Sequence, residues 1–145
     1  MNVTIRAMVA DDFPAVAELW RRTEGIGLNE SDTKNAIAVY LQRNPGMSAV
    51  GQSQEGVILG AVLCGHDGRR GYLHHLAVDP AHRHQGIARS LLEWCFERLH
   101  EAAVPKCNIF LFSDNESGAS FWSRNGWSSR PDLVVFQKAT TSPKR

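Results

Sequence analysis

No stretch of about 18 consecutive apolar residues occurs in this chain of 145 residues, and its first residues lack a basic segment followed by a long apolar run. Neither a membrane span nor a signal peptide is expected. Charge of one sign is also missing: 16 Lys and Arg against 15 Asp and Glu leave a net +1, with no global field directed at nucleic acid or an anionic membrane. Cysteine is scarce and odd in number. Cys64, Cys95 and Cys107 each lie in an apolar run, the pattern of reduced, buried thiols in a cytoplasmic protein, so no disulfide framework is implied. Repeats and low-complexity stretches are absent, as are Gly-x-Gly-x-x-Gly, Walker and Gly-x-Ser-x-Gly patterns, which disfavours dinucleotide, nucleoside triphosphate and nucleophile-elbow chemistry. His66, His74, His75, His82 and His84 are dense, yet they have no Cys partners and no zinc spacing, so no metal is expected.

What is present reads as one domain over residues 1–139 with a polar tail at 140–145. Residues 3–8 alternate as a short strand, and Asp11 or Asp12 caps a helix in which Phe13, Val16, Leu19 and Trp20 share a face, with Pro14 in its first turn. A glycine-containing segment, 24–29, has the character of a binding loop. Ser31 then suits the cap of a second helix carrying Ile37, Tyr40 and Leu41, stopped at Asn44-Pro45-Gly46. Strands follow at 47–52 and 57–64, the latter apolar on both faces and hence central, then at 72–78. From Ile87 a long amphipathic helix buries Leu91, Cys95 and Leu99, with Ala88, Leu92 and Phe96 beside them. A buried strand at 108–112, a short helix capped by Asn115 and left through Gly126, and a hairpin of 127–129 with 133–137 complete the chain. The order β-α-α-β-β-β-α-β-α-β-β predicts an α/β fold, a mixed sheet of about seven strands with helices on both faces.

One junction stands out. The strand ending Leu76-Ala77-Val78 runs through Asp79-Pro80 into Arg83-His84-Gln85-Gly86-Ile87-Ala88, a basic, glycine-containing turn that opens the long helix. Free N–H groups at a helix start, the positive end of its dipole and a nearby arginine favour a phosphate. With Asn115, Trp122 and Gly126-Trp127 at the matching separation downstream, the chain resembles the GNAT superfamily of acyl-CoA-dependent N-acetyltransferases. That resemblance implies a mostly antiparallel twisted sheet with a central splay. It also implies that Arg83, His84, Gln85, Gly86, Ile87 and Ala88 hold the pyrophosphate of acetyl-CoA, Arg83 and Arg89 adding charge. Leu76, Ala77 and Val78 would offer their strand edge to pantetheine, and Asn115 would touch its arm. A homodimer follows from the habits of the family, although no stripe of surface residues points to it.

The chemistry implied is direct attack of a primary amine on the thioester. Deprotonating an alkyl ammonium of pKa ~10.4 at pH 7 costs about 4.6 kcal/mol, so a base is useful. His74 is the first candidate, with Tyr72 on the same strand face and His75 on the opposite one. Trp122 stands where many members of the superfamily carry a tyrosine that protonates the departing thiolate, which leaves the general acid open. Residues 24–29, 66–70 and 130–132 are the expected acceptor loops, and Glu24, Glu30 and Asp67 are candidates to meet a cationic acceptor, small molecule or protein. Arg69, Arg70, Arg83 and Arg89 are better explained by coenzyme A than by nucleic acid. A noncatalytic acyl-CoA-binding or sensing module is the alternative from another class.

Overall fold

The computed structural model describes residues 2–141, so all but the first two residues of the polar tail fall outside the described residues. Two compact units make up the described chain, one running to Phe110 and the other starting at Leu111. In the first, β1 (Val3–Ala7), β2 (Ala49–Ser53), β3 (Ile58–His66), β4 (Gly71–Val78) and β5 (Cys107–Ile109) form one sheet in that order. The first three pairings are antiparallel and β4 with β5 is parallel, which explains why all but the last residue of central β3 is buried.

Helices α1 (Phe13–Arg21), α2 (Lys34–Arg43) and α3 (Ile87–Glu101) cover the sheet. Alternate residues of β3 divide between its two faces. Ala61 and Leu63 join Val16, Leu19 and Trp20 of α1 and Ile37 of α2 in one apolar cluster. A side chain at Gly60 would instead strike Ile87 at 2.9 Å and Leu91 at 3.1 Å, so glycine lets α3 lie close on the other face. Among the described residues, no helix is long and apolar enough to cross a membrane.

Both proposed caps of the first two helices need correcting. Asp12 precedes α1 but makes no cap bond; its carboxylate takes two bonds from the Arg6 guanidinium, each 2.8 Å, and the Val9 N–H at 2.8 Å. Thr33, not Ser31, caps α2 by accepting the Ala36 N–H, because Ser31 lies within a 3-10 turn, Glu30–Asp32, that Asn29 caps. Burial pushes the Asp12 carboxyl up, but the Arg6 and Val9 bonds prevail and hold it below its usual value. A folded-state pKa below the unfolded one gives stability that is present above the unfolded pKa and lost as pH falls through the folded one. Asp12→Asn is therefore expected to lose about 1–2 kcal/mol at pH 7, a figure reduced because Arg6 is partly exposed. Urea unfolding at several pH values should show the gap from the unsubstituted protein closing below about pH 4.

The second unit holds α4 (Glu116–Arg124), capped by the Asn115 side chain on the Gly118 N–H at 2.9 Å and left through Gly126 at a φ of +89°. Trp122 packs edge-on against Phe121 and Trp127, with ring centroids 5.2 and 4.9 Å away. The expected final hairpin carries no strand, so the sheet has five strands among the described residues rather than about seven. A two-stranded ribbon is marginal alone, and 133–137 buries none of the apolar side chains that would stabilise one: Val134 is 80% and Phe136 93% exposed. Strand β5 is likewise shorter than expected, since Phe110 and Phe112 stay exposed.

Candidate active site

The turn between β4 and α3 is built from backbone conformations that few residues adopt. Asp79 accepts the Ala81 N–H at 2.9 Å and starts a 3-10 turn, Pro80–His82. His84 at a φ of 63° and Gly86 at 84° then occupy the left-handed region, and such residues shape the backbone concavities that take anions. Gly86 stands at the start of α3 without offering a side-chain cap, whereas α2 and α4 have one. The first N–H groups of a helix have no partner in the turn before them, so this terminus is suited to an anion. Beyond Gly86 and its two chain neighbours, no atom of the described residues lies within 4 Å of where a Cβ on Gly86 would sit, which leaves room for a ligand to approach the backbone. Arg83 sits beside this turn, its Nε donating to the Val78 carbonyl at 3.3 Å and its Nη1 to Glu24 at 3.0 Å.

Upstream of the turn the sheet opens. Parallel pairing of β4 with β5 ends at Leu73 opposite Ile109, and β4 continues through residues 74–78 with no strand on that side among the described residues. The open edge lies where the family resemblance implies a splay, and Leu76, Ala77 and Val78 are on it. His74 lies where it begins, in a group of rings: Tyr40, Tyr72 and Phe110 have centroids 6.3, 6.5 and 6.2 Å from its own. Burial, chiefly, and the neighbouring His75 push the His74 pKa below its ordinary value, while Asp32 opposes them. The imidazole is thus mainly neutral at pH 7, as a proton acceptor must be. Burial raises the Tyr40 pKa well above its usual value, so that hydroxyl remains protonated.

His75 does not point away from His74. Pairing of β3 with β4 slips between Ala61 and Leu63, and His75 takes the extra position with a φ of 56°, at a cost of roughly 1–2 kcal/mol for a residue with a Cβ. The left-handed bulge breaks the alternation, so both imidazoles meet the α1–α2 layer: His75 lies edge-on to Trp20 with centroids 5.0 Å apart, and His74 faces Tyr40. His75 Nε2 is 3.0 Å from Asp32 Oδ2, with only 6% of the Asp32 side chain exposed. Neither Asp32 nor this use of His75 follows from sequence periodicity. The signal available was the Asn29-x-x-Asp32 spacing of a capped turn, which singles out Asp32 but not its partner 43 residues away.

The thiols offer no rival nucleophile. Hydrogen bonding to Cys64 and burial drive the Cys95 pKa far up, and burial puts Cys107 at about 12. A model of the Acetyltransferase (GNAT) family matches residues 13–127. The chain belongs to that family. Acetyltransferase SG1711 of Sodalis glossinidius is 28% identical to it over 134 residues, covering 92% of this chain and 93% of the relative. Acetyltransferase ECA0875 of Pectobacterium atrosepticum is 33% identical over 113 residues, covering 78% and 79%. The PaiA N-acetyltransferase of Thermoplasma acidophilum, solved in complex with coenzyme A, superposes with a TM-score of 0.78 at 18% identity, covering 90% of this chain and 92% of that one. In this GNAT acetyltransferase the turn Arg83 to Ala88 stands at the start of α3 and follows the open stretch of β4.

Proposed function

We propose that this acetyltransferase moves an acetyl group from acetyl-CoA to a primary amine by direct attack, with no covalent enzyme intermediate. The observation that carries the reading is the succession of an open stretch of β4, from His74 to Val78 with no strand on its β5 edge among the described residues, and a helix start at Gly86 without a side-chain cap. His84, Gln85, Gly86, Ile87 and Ala88 supply backbone N–H groups to the pyrophosphate, and Arg83 and Arg89 supply charge. Leu76, Ala77 and Val78 hydrogen-bond the pantetheine amides as an added strand would. Acetyl-CoA contributes an activated thioester carbonyl. His74 accepts the proton released as the amine nitrogen bonds to that carbon, and the C–S bond breaks to release the thiolate; Tyr72 lines the same face.

Roles for Asn115 and Trp122, in the second unit, rest on the resemblance alone. An indole N–H donates a hydrogen bond but not a proton. A thiol of pKa ~8.5 can depart as its anion, protonation at pH 7 being worth only about 2 kcal/mol, so the chemistry does not require a hydroxyl at Trp122.

Calorimetry with acetyl-CoA, together with thiol release against a panel of primary amines and tertiary-amine controls, tests the reading. Binding in the ~1 μM to 1 mM range and turnover confined to primary amines are expected. Binding without transfer to any amine would instead favour an acyl-CoA-binding module.

A further inference from the structure

Asp32 and His75 have no part in the steps above, yet three contacts converge on His75. The Trp20 indole N–H donates to its carbonyl at 2.9 Å, the Trp20 ring meets its imidazole edge-on, and Asp32 Oδ2 accepts from its Nε2 at 3.0 Å. The same Asp32 oxygen accepts the Asn29 N–H at 3.0 Å and so closes the last turn of the segment joining α1 to α2. Stability alone gives little reason for this arrangement, because regular pairing of β3 with β4 would avoid a left-handed histidine, and a buried hydrogen bond between polar side chains is often no better than apolar packing. What the contacts do accomplish is specific. They fasten the bulge of β4 on both its backbone and its side chain, next to His74.

We propose that Asp32 and His75 are a positioning pair for acetyl transfer, holding the bulged backbone of β4 and the α1–α2 segment as one unit beside His74. The proposal rests on the reading that places the reacting thioester at the open stretch of β4. Neither residue is assigned contact with the reacting atoms; both act through His74 and through the backbone that carries it. The ionisable groups around His74 are Tyr72 and His75 on its own strand, Tyr40 of α2, and Asp32. Burial contributes most to the lowered His74 pKa, His75 adds to it, and Asp32 opposes both.

Asp32→Asn preserves shape and an acceptor oxygen but removes the charge. NMR titration of the His74 ring is expected to give a midpoint at lower pH in Asp32→Asn than in the unsubstituted protein. Amide exchange at 24–32 and 74–77, without ligand, should speed up by about tenfold or more. Affinity for coenzyme A should remain within about twofold, since the pair lies off the 83–88 turn. His75→Gly is the second variant. Glycine adopts the left-handed backbone freely, so faster exchange in that variant would show that the imidazole tie, not the backbone strain, does the holding. An unmoved His74 midpoint in Asp32→Asn, or full protection in His75→Gly, overturns the proposal. Failure of the unsubstituted protein to bind coenzyme A sinks the functional reading instead, and the ligand-free exchange and titration still decide the pair.

Discussion

Replacing Gly86 with valine is expected to lower affinity for coenzyme A by at least about 100-fold in isothermal titration calorimetry, equivalent to about 2.7 kcal/mol. That is the loss of one or two charge-assisted bonds between backbone N–H groups and phosphate, each worth about 1.5–3 kcal/mol. Two features of the site set the size of the effect. A φ of 84° is strained for any residue with a Cβ, and valine is β-branched, so the turn shifts and its N–H groups lose their common aim. The added Cβ also sits in space with no other part of the described protein within 4 Å beyond its chain neighbours, the space through which a phosphate would approach. Because nothing in the protein is struck, the fold should survive. Strain of about 1–2 kcal/mol predicts a melting temperature about 3–6 °C lower. Gly86→Ala should fall between the two. Undiminished binding in the valine variant would refute the placement of the pyrophosphate.

His74→Gln is expected to reduce kcat by about 10²–10³-fold while leaving the KM for acetyl-CoA within about threefold, because the imidazole is assigned to proton transfer and not to donor binding. The pH profile carries the sharper test. Burial, chiefly, together with His75 depresses the His74 pKa, so its neutral form persists below the ordinary value of about 6.5, and the acid limb of kcat/KM in the unsubstituted enzyme should lie below that value. In the glutamine variant that limb should vanish, leaving a rate that climbs with pH toward the acceptor amine's own pKa of ~10. Unfolding supplies an independent reading of the same group. The unfolded chain binds this proton more readily than the folded one, so the unsubstituted protein should lose stability relative to His74→Gln as pH falls through about 6.5. An unchanged activity profile in the variant would make His74 a packing residue.

Much of the frame could be read before any coordinates. The stripe Ile87, Leu91, Cys95 and Leu99 is the buried face of α3; Asn115 caps α4; Gly126 takes a left-handed conformation; and the doubly apolar β3 is central. Each of these depends on residues within a turn or two of one another, where spacing and steric preference act directly. Expectations that needed a distant partner fared worse. Asp12 has the chemistry of a cap, but Arg6 bonds its carboxylate more strongly; Ser31 yields to Thr33 because Asn29 builds a turn around it. The apolar, β-branched run at 133–136 suits a strand, yet such a run supplies no ladder partner, and those side chains stay exposed.

At the active site the division is sharpest. The residue types and the order Arg83 to Ala88 pointed by themselves to a helix start suited to an anion, and with Asn115 to Trp127 they marked the GNAT family, because backbone chemistry at a helix terminus is local. Only the tertiary structure decided that β4 carries a bulge at His75, that both imidazoles therefore meet the α1–α2 layer, and that Asp32, 43 residues away, holds one of them. A register slip in a strand is settled by how the neighbouring strand and the helices above it pack, and period-two alternation contains no term for that.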